Sequence, residues 1–192
     1  MNKSRKPHGA GRSTFDLIDA DRLFETLDVR RSMVVLDLGA GGGDYTIPLA
    51  QAVGPGGRIF ALDAWEEGLA RVRERASLGR LRNIETLLAD ANEGIPLDDG
   101  TIDVCLVATV FHDLLREATG ETVLRETLRV LKPGGRLAIL EFKKIEGPPG
   151  PPLQIRISEK DVEDHLAPFG FRTESVSEVG KYHYLLIASS PF

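Results

Sequence analysis

A glycine-rich turn is the feature of this sequence most suited to binding a ligand. An apolar run, Val34–Leu38, leads into a glycine-rich turn that includes Gly39, Gly41, Gly43 and Asp44. Glycines at this spacing remove the β-carbons that would keep a ligand away from the main chain, and they permit φ values that other residues avoid. The pattern predicts a strand, a ligand-binding turn and a helix, with a tight turn that binds nothing as the alternative.

The spacing of the glycines distinguishes between two classes of ligand. A dinucleotide fingerprint reads G-x-G-x-x-G, whereas the spacing here is G-x-G-x-G and the sixth position from Gly39 is Asp44. Asp37 and Asp44 flank the turn, and a carboxylate ~5 Å from a pyrophosphate would cost about 3 kcal/mol per charge pair at an effective dielectric constant of ~20. Acidic residues suit a cationic ligand, and S-adenosylmethionine carries ammonium and sulfonium groups. An NAD(P)-dependent oxidoreductase is the alternative.

Two further acidic residues follow predicted strands. Asp63 and Ala64 come after the second apolar run, where a carboxylate can accept hydrogen bonds from both hydroxyls of a ribose. Asp90 and Ala91 follow the third run, and Asp90 could accept a hydrogen bond from an adenine amino group or simply cap a turn. We expect these four residues to contact the cofactor.

Candidate catalytic residues follow the fourth and fifth predicted strands. His112 could remove a proton from an acceptor hydroxyl or carbon acid while Asp113 orients its ring. The alternative is that His112 packs at the start of a helix that Asp113 caps. Glu141 ends the fifth strand, so we expect it to face the same edge of the sheet and to touch the substrate.

Alternating strands and helices must position these residues. Short β-branched runs alternate with amphipathic stretches from Met33 onward, which predicts an α/β core of parallel strands joined by helices. A short connection around Gly180 and Lys181 joins the last two strands and is too short for a crossover helix, so those strands should form an antiparallel hairpin. The predicted strands are 34–38, 58–62, 84–88, 102–109, 136–142, 172–177 and 184–188. The predicted helices are 15–27, 45–53, 66–78, 121–131 and 159–168, the last with Ser158 as N-cap.

Taken together, these motifs resemble the class I S-adenosylmethionine-dependent methyltransferases. The turn at 36–43, the acid Asp63, the 90–91 pair, the fourth strand at 103–111 and the Leu-Lys-Pro-Gly-Gly sequence at 131–135 follow the family's order. The resemblance implies a Rossmann-like, seven-stranded mixed sheet with helices on both faces and an antiparallel last strand. It also implies that Asp37 and Thr109 contact the cofactor.

Within that family, the chain is most similar to small-molecule enzymes of the ubiquinone and menaquinone C-methylating type. The likeness rests on the 131–135 turn and on Leu-Glu-Phe at 140–142. It implies methyl transfer from S-adenosylmethionine to a small organic acceptor, at oxygen or carbon rather than nitrogen, with S-adenosylhomocysteine as product. A protein that binds the cofactor without catalysis is a further alternative.

Composition sets the remaining limits. The chain has 192 residues, which fits one cofactor-binding domain over 33–192 preceded by a tail and cap helix over 1–32. A net charge of −5 disfavours a nucleic-acid partner, and Cys105, the only cysteine, is expected to be a core thiol. The histidines lie far apart in the sequence and form no motif with metal-ligand spacing, so we expect no metal site. No apolar run is long enough to cross a bilayer, so we expect a cytoplasmic protein without a membrane span.

Three segments have open roles. The N-terminal stretch 12–16 is either a lid over the cofactor or part of a packing helix. The proline-rich stretch 147–152 follows the fifth strand on the ligand side of the sheet and is either functional or a spacer. The arginine-rich stretch 71–82 is interrupted by Glu74 and preceded by Glu66 and Glu67, which predicts a solvated helix face rather than an RNA site.

Overall fold

The computed structural model describes residues 11, 13–116 and 120–191. Within this part of the chain, seven strands form one sheet in the order β3-β2-β1-β4-β5-β7-β6. Strands β1 to β5 are parallel, and β7 runs antiparallel to both β5 and β6. The strands are β1 (Val34–Leu38), β2 (Arg58–Asp63), β3 (Ile84–Leu88), β4 (Ile102–Ala108), β5 (Leu131–Phe142), β6 (Arg172–Glu178) and β7 (His183–Ser189). The predicted Rossmann-like mixed sheet is confirmed.

Helices cover both faces of the sheet because its central strands are apolar on both sides. Along β4, Val104 and Leu106 pack into one buried cluster, and Cys105 and Val107 pack into another. The described helices are α1 (Ala20–Leu27), α2 (Thr46–Val53), α3 (Glu66–Leu78), α4 (Phe111–Arg116), α5 (Gly120–Val130) and α6 (Glu159–Leu166). Two 3₁₀ turns, Phe15–Leu17 and Ala167–Phe169, accompany them. The predicted core thiol of Cys105 is confirmed by its burial.

The largest departure from the predicted elements lies at the start of β5. The strand begins at Leu131, which pairs with Ile102, whereas the next pair joins Val104 to Arg136. The Lys-Pro-Gly-Gly sequence at 132–135 is therefore looped out as a bulge within the strand. Helix α4 is absent from the predicted helices and agrees with the alternative that places His112 at a helix start, and the helix predicted over 15–27 is divided into a 3₁₀ turn and α1.

Two helix starts follow local rules. The Ser158 side chain accepts a hydrogen bond from the amide of Asp161, and the Asp161 side chain accepts one from the amide of Ser158. This capping box confirms the predicted N-cap of α6. Asp19 caps α1 in a similar way, by accepting from the amide of Arg22 at 3.1 Å.

The N-terminal helix is packed into the body of the protein. Leu23 and Leu27 of α1 are fully buried in the same cluster as residues of β1 and β4. The amide of Asp19 donates to the Val179 carbonyl at 3.0 Å, which ties the start of α1 to the turn before β7. Arg12, part of the predicted lid, lies outside the described residues.

Neither a membrane span nor a metal-binding cluster is found in the residues that the structure describes. No helix there is long and apolar enough to cross a membrane. No three histidine, cysteine, aspartate or glutamate side chains in those ranges come together as they would around a metal ion.

Candidate active site

A cleft of about 930 Å³ opens at the carboxyl ends of the parallel strands. Segments that follow β1, β2, β4 and β5 supply its walls, together with α3 and the N-terminal segment. Strand order reverses between β1 and β4, and doubly wound sheets bind ligands beyond the carboxyl ends at such a point. The predicted site residues that line the cleft are Gly39, Gly41, Asp63, Thr109, His112 and Asp113.

The glycine turn has the conformation that its residue types predict. Gly39 has φ 80° and Gly41 has φ 53°, both in the left-handed region. A β-carbon on Gly39 would lie 2.9 Å from Val110 Cγ2, whereas one on Gly41 would meet no described atom within 4 Å. Packing therefore requires glycine at 39, and the main chain at Gly41 is open to a ligand.

Asp63 ends β2 and is held against the glycine turn. The Gly41 amide donates to Asp63 Oδ2 and the Trp65 amide donates to Oδ1, each at 2.8 Å. Burial raises the pKa of Asp63, and these amide hydrogen bonds oppose the rise. Each carboxylate oxygen can accept a further hydrogen bond, so the side chain can bind two neighbouring hydroxyls of a ligand.

The other two aspartates at the turn have partners within the protein. Asp37 is 1% exposed and accepts a 2.5 Å hydrogen bond from Thr46 Oγ1. Burial raises the pKa of Asp37 to about 7. Asp44 lines the cleft in a 2.6 Å ion pair with Arg75. Arg75 therefore compensates the negative charge of Asp44, which had favoured a cationic ligand. Asp37 is buried beneath the turn and has a structural role there, through its hydrogen bond with Thr46.

Five predicted cofactor contacts lie outside the described lining of the cleft: Asp37, Gly43, Ala64, Asp90 and Ala91. Asp90 is exposed and accepts a 2.9 Å hydrogen bond from the Asn92 amide, as the turn-capping alternative requires. Ala91 is buried in the core, and Ala64 follows Asp63 without lining the cleft. Gly43 also lies outside the cleft lining, and a β-carbon added to it would lie 2.9 Å from Val72 Cγ2 of α3.

Thr109 follows β4 in a strained conformation. Its φ of 54° is one that a β-branched residue rarely adopts. Its amide donates to the Leu140 carbonyl at 2.8 Å, and its Oγ1 lies 3.4 Å from Thr14 Oγ1. Thr14 Oγ1 also lies 2.8 Å from the Tyr45 hydroxyl, so three cleft residues form a chain of hydroxyls. Strain of this kind is concentrated at ligand sites.

His112 and Glu141 form a buried pair under the cleft. His112 Nδ1 lies 2.9 Å from both Glu141 oxygens, and the His112 amide donates to Oε1 at 3.1 Å. Glu141 is 0% exposed and His112 is 7% exposed. Burial lowers the pKa of His112, but the hydrogen bond and the charge of Glu141 outweigh burial and raise it above 6.5. Because a carboxylate only accepts, Nδ1 carries a proton, and Nε2 of the neutral ring can accept one.

The expected partner of His112 needs correction. We expected Asp113 to orient the imidazole ring, but its Oδ2 lies 3.7 Å from His112 Nε2, and Glu141 holds the ring at Nδ1 instead. Asp113 forms a 3.2 Å ion pair with Arg116, which also lines the cleft. Glu141 can orient the ring because it lies on β5, which is adjacent to β4, and His112 follows β4.

Several residues that line the cleft were not predicted as site residues. Arg71 stacks 5.1 Å from the Trp65 ring, and Arg75 pairs with Asp44, so part of the 71–82 stretch faces the cleft rather than solvent alone. Their i, i+4 spacing on α3 was the available signal. Phe142 and Ile155 also line the cleft, together with Pro149, Gly150, Pro151 and Pro152.

Comparison with known proteins assigns the chain to a family. Residues 18–151 match the model of the ubiE/COQ5 methyltransferase family. The chain belongs to this family. Two curated members are ubiquinone/menaquinone biosynthesis C-methyltransferases: the protein from Idiomarina loihiensis is 39% identical over 120 residues, and that from Escherichia fergusonii is 41% identical over 117 residues. Each alignment covers 60% of this chain and 45% of the relative, so the match spans about half the length of these family members.

One solved structure is similar to nearly the whole chain. A SAM-dependent methyltransferase from Aquifex aeolicus is 35% identical, with a TM-score of 0.85 and coverage of 93% of both chains. The fold and sequence therefore make this chain a class I S-adenosylmethionine-dependent methyltransferase by family.

Proposed function

We propose that the protein transfers a methyl group from S-adenosylmethionine to a small organic acceptor, at carbon or oxygen. One observation carries this proposal: a single cleft joins the glycine turn and Asp63 to the buried His112–Glu141 pair. A cofactor on the first set of residues and an acceptor beside the second set would meet at Thr109, between them along the sheet edge.

The residues present fit this cofactor. Gly41 offers open main chain, and Asp63 is fixed with lone pairs free for two hydroxyls, which suits a ribose. Thr109 supplies a hydroxyl at the end of β4. When bound, S-adenosylmethionine supplies an electrophilic methyl group on a sulfonium. Contacts from Asp90 and Ala91 to the adenine are a separate part of the proposal.

The chain's own residues would orient the acceptor and handle its proton. Glu141 fixes the imidazole with Nδ1 protonated, so Nε2 of His112 accepts a proton from an acceptor hydroxyl or carbon acid. The imidazolium that results is stabilised by the buried Glu141 carboxylate. Asp113 and Arg116 form an ion pair at the same wall and can bind polar groups of the acceptor.

The end of β5 and the segment after it favour an apolar acceptor. Phe142 and Ile155 supply apolar side chains there, and the prolines at 149, 151 and 152 extend that surface. Thr14 and Leu17 of the N-terminal segment close another side of the cleft, which supports a role as a cap. Holding two reactants in line can supply about 7–11 kcal/mol of the barrier, so positioning is the main catalytic device.

Acceptor-dependent methyl transfer tests this function. The purified protein with methyl-labelled S-adenosylmethionine would be offered 1,4-naphthohydroquinone, which presents a hydroxyl beside an unsubstituted ring carbon. The relatives' names, which refer to ubiquinone and menaquinone biosynthesis, make this probe the first choice. We expect label in the acceptor and release of S-adenosylhomocysteine. Tight cofactor binding with no transfer to this probe or to hydroxylated aromatic relatives of it would favour a non-catalytic binding protein.

The remaining expectations belong to the same proposal. A small-molecule acceptor fits a cleft of about 930 Å³, and the net charge of −5 disfavours a nucleic-acid substrate. We propose a cytoplasmic location and a cofactor-binding domain over 33–192 with the preceding residues as its cap.

A further inference from the structure

The segment after β5 presents prolines to the cleft. Residues 147–152 read Gly-Pro-Pro-Gly-Pro-Pro, and four of them line the cleft. Proline has no amide hydrogen, so this segment cannot satisfy its carbonyl groups by pairing with itself. Carbonyls that turn away from water need donors from elsewhere in the protein.

Arg156 provides those donors. Its Nε donates at 2.8 Å, its Nη1 donates twice at 2.7 and 3.3 Å, and its Nη2 donates twice at 2.6 and 2.8 Å. The five acceptors are the carbonyl oxygens of alternate residues: Lys143, Ile145, Gly147, Pro149 and Pro151. The segment thus curves around one guanidinium whose five N–H groups are all used.

Arg156 is buried, and its polar partners are these backbone carbonyls. The residue is 3% exposed, and its guanidinium lies 5.5 Å from the centre of the Phe142 ring. No carboxylate of the described residues forms an ion pair with it. A buried cation is costly unless its hydrogen bonds are satisfied, so the carbonyl dipoles of the segment must stabilise this charge.

We propose that Arg156 is a positioning residue that holds the proline wall, residues 143–152, in the shape that the acceptor side of the cleft requires. The identity of the ligand on that side rests on the proposed function, whereas the wall itself does not. A preformed wall binds its ligand without the entropic cost of ordering a loop. Arg156 would therefore set acceptor affinity without touching the acceptor.

Two variants and a matched control test this role. Arg156→Met removes all five donors, and Arg156→Lys keeps the charge but offers a compact ammonium that cannot span five carbonyls. The control is Arg129→Met. Arg129 donates to the carbonyls of Ile95 and Leu97 at 2.8 Å each, in a segment that does not line the described cleft.

Three measurements separate positioning from general stability. We expect Arg156→Met to speed hydrogen exchange at the Ile145 and Ile155 amides by about tenfold or more, because the wall opens locally. Calorimetry with S-adenosylhomocysteine should show affinity within about threefold of the wild type. The KM for 1,4-naphthohydroquinone should rise about tenfold while the KM for S-adenosylmethionine stays constant. Arg156→Lys should show smaller changes in the same direction, and Arg129→Met should show none of them.

Opposite results would overturn the role of Arg156. Unchanged exchange in both Arg156 variants would mean that the wall holds its shape without the guanidinium. Equal rises in both KM values would mean that the residue acts only on overall stability. If the wild type fails to methylate the naphthohydroquinone, the proposed acceptor is wrong, but exchange and S-adenosylhomocysteine binding still decide the role of Arg156.

Discussion

The pairing of His112 with Glu141 gives the cleft a base whose proton affinity is increased chiefly by one buried carboxylate. Glu141 raises the pKa of His112 against the effect of burial. The neutral ring is the form that accepts a proton, so turnover of a hydroxyl acceptor should increase as pH rises through this pKa.

Glu141→Gln should shift this dependence to lower pH. Burial of the imidazole remains while the opposing charge is lost, so the His112 pKa should fall below its ordinary value. Turnover should drop by about 10²-fold, since the imidazolium loses its counter-ion. Titration of the His112 ring by NMR measures the pKa. Asp113→Asn is the control, because its carboxylate lies 3.7 Å from Nε2 and should matter less. A His112 pKa that stays the same in Glu141→Gln would remove Glu141 from the mechanism.

Asp63 and Asp90 provide a second test at the residue scale. Asp63→Ala should weaken S-adenosylhomocysteine binding more than about tenfold, because it removes the proposed acceptor of two ribose hydroxyls. Asp90→Ala tests the proposed adenine contact in a residue that lies outside the described cleft lining. Calorimetry measures both affinities, and circular dichroism checks the fold. Normal binding by Asp63→Ala would refute the ribose assignment, and normal binding by Asp90→Ala would refute the adenine contact.

At the scale of elements, the glycine turn depends on how closely β1, α3 and the end of β4 approach one another. A side chain at Gly39 would meet Val110 and would also occupy a positive φ. Gly134, in the bulge of β5, has a φ of 70° but no described atom within 4 Å of an added β-carbon. The two positions therefore separate backbone strain from packing.

Gly39→Ala should destabilise the protein by about 2–3 kcal/mol, of which roughly 1 kcal/mol comes from the positive φ and the rest from overpacking against Val110. Gly134→Ala should cost only the first part, about 1 kcal/mol. Urea unfolding measures both free energies. Equal losses in the two variants would show that contact with Val110 contributes nothing, and no loss at Gly39 would show that the turn can relax.

The same elements show what sequence patterns can predict. The strands around the glycine turn were predicted almost to the residue because apolar runs and glycines are local signals. Helix α4 was missed because six residues carry too little periodicity, and the true start of β5 depends on Leu131 pairing with Ile102 of another strand. Asp63 was predictable from its place after β2. The partnership of Glu141 with His112 was not, because it depends on β4 and β5 being neighbours and on the direction of a buried side chain.

At the scale of the whole molecule, one buried histidine makes stability depend on pH. His183 of β7 is fully buried, with its ring centre 4.1 Å from that of Phe142. No described atom forms a hydrogen bond with its ring nitrogens. Burial lowers the pKa of His183 to about 4, and the charges of Arg156 and Lys143 add to the effect.

The sign of this dependence follows from proton uptake. Between pH 6.5 and 4 the unfolded chain protonates this histidine and the folded chain does not, so the stabilisation is complete above pH 6.5 and is lost as pH falls. We expect His183→Met to reduce the loss of unfolding free energy between pH 7 and pH 4 by roughly 2–3 kcal/mol. Urea unfolding at several pH values measures this. His112, with a raised pKa, acts in the opposite direction and is unchanged in the variant. The same slope in both proteins would contradict the prediction.

The whole cleft is best tested by the cofactor, because every catalytic proposal depends on it. The purified protein would be titrated by calorimetry with S-adenosylhomocysteine, and with NADH as the control ligand. We predict micromolar binding of S-adenosylhomocysteine and no binding of NADH, since the glycine turn and Asp63 suit the former. Binding of NADH alone would contradict the account and would make the cleft that of an oxidoreductase.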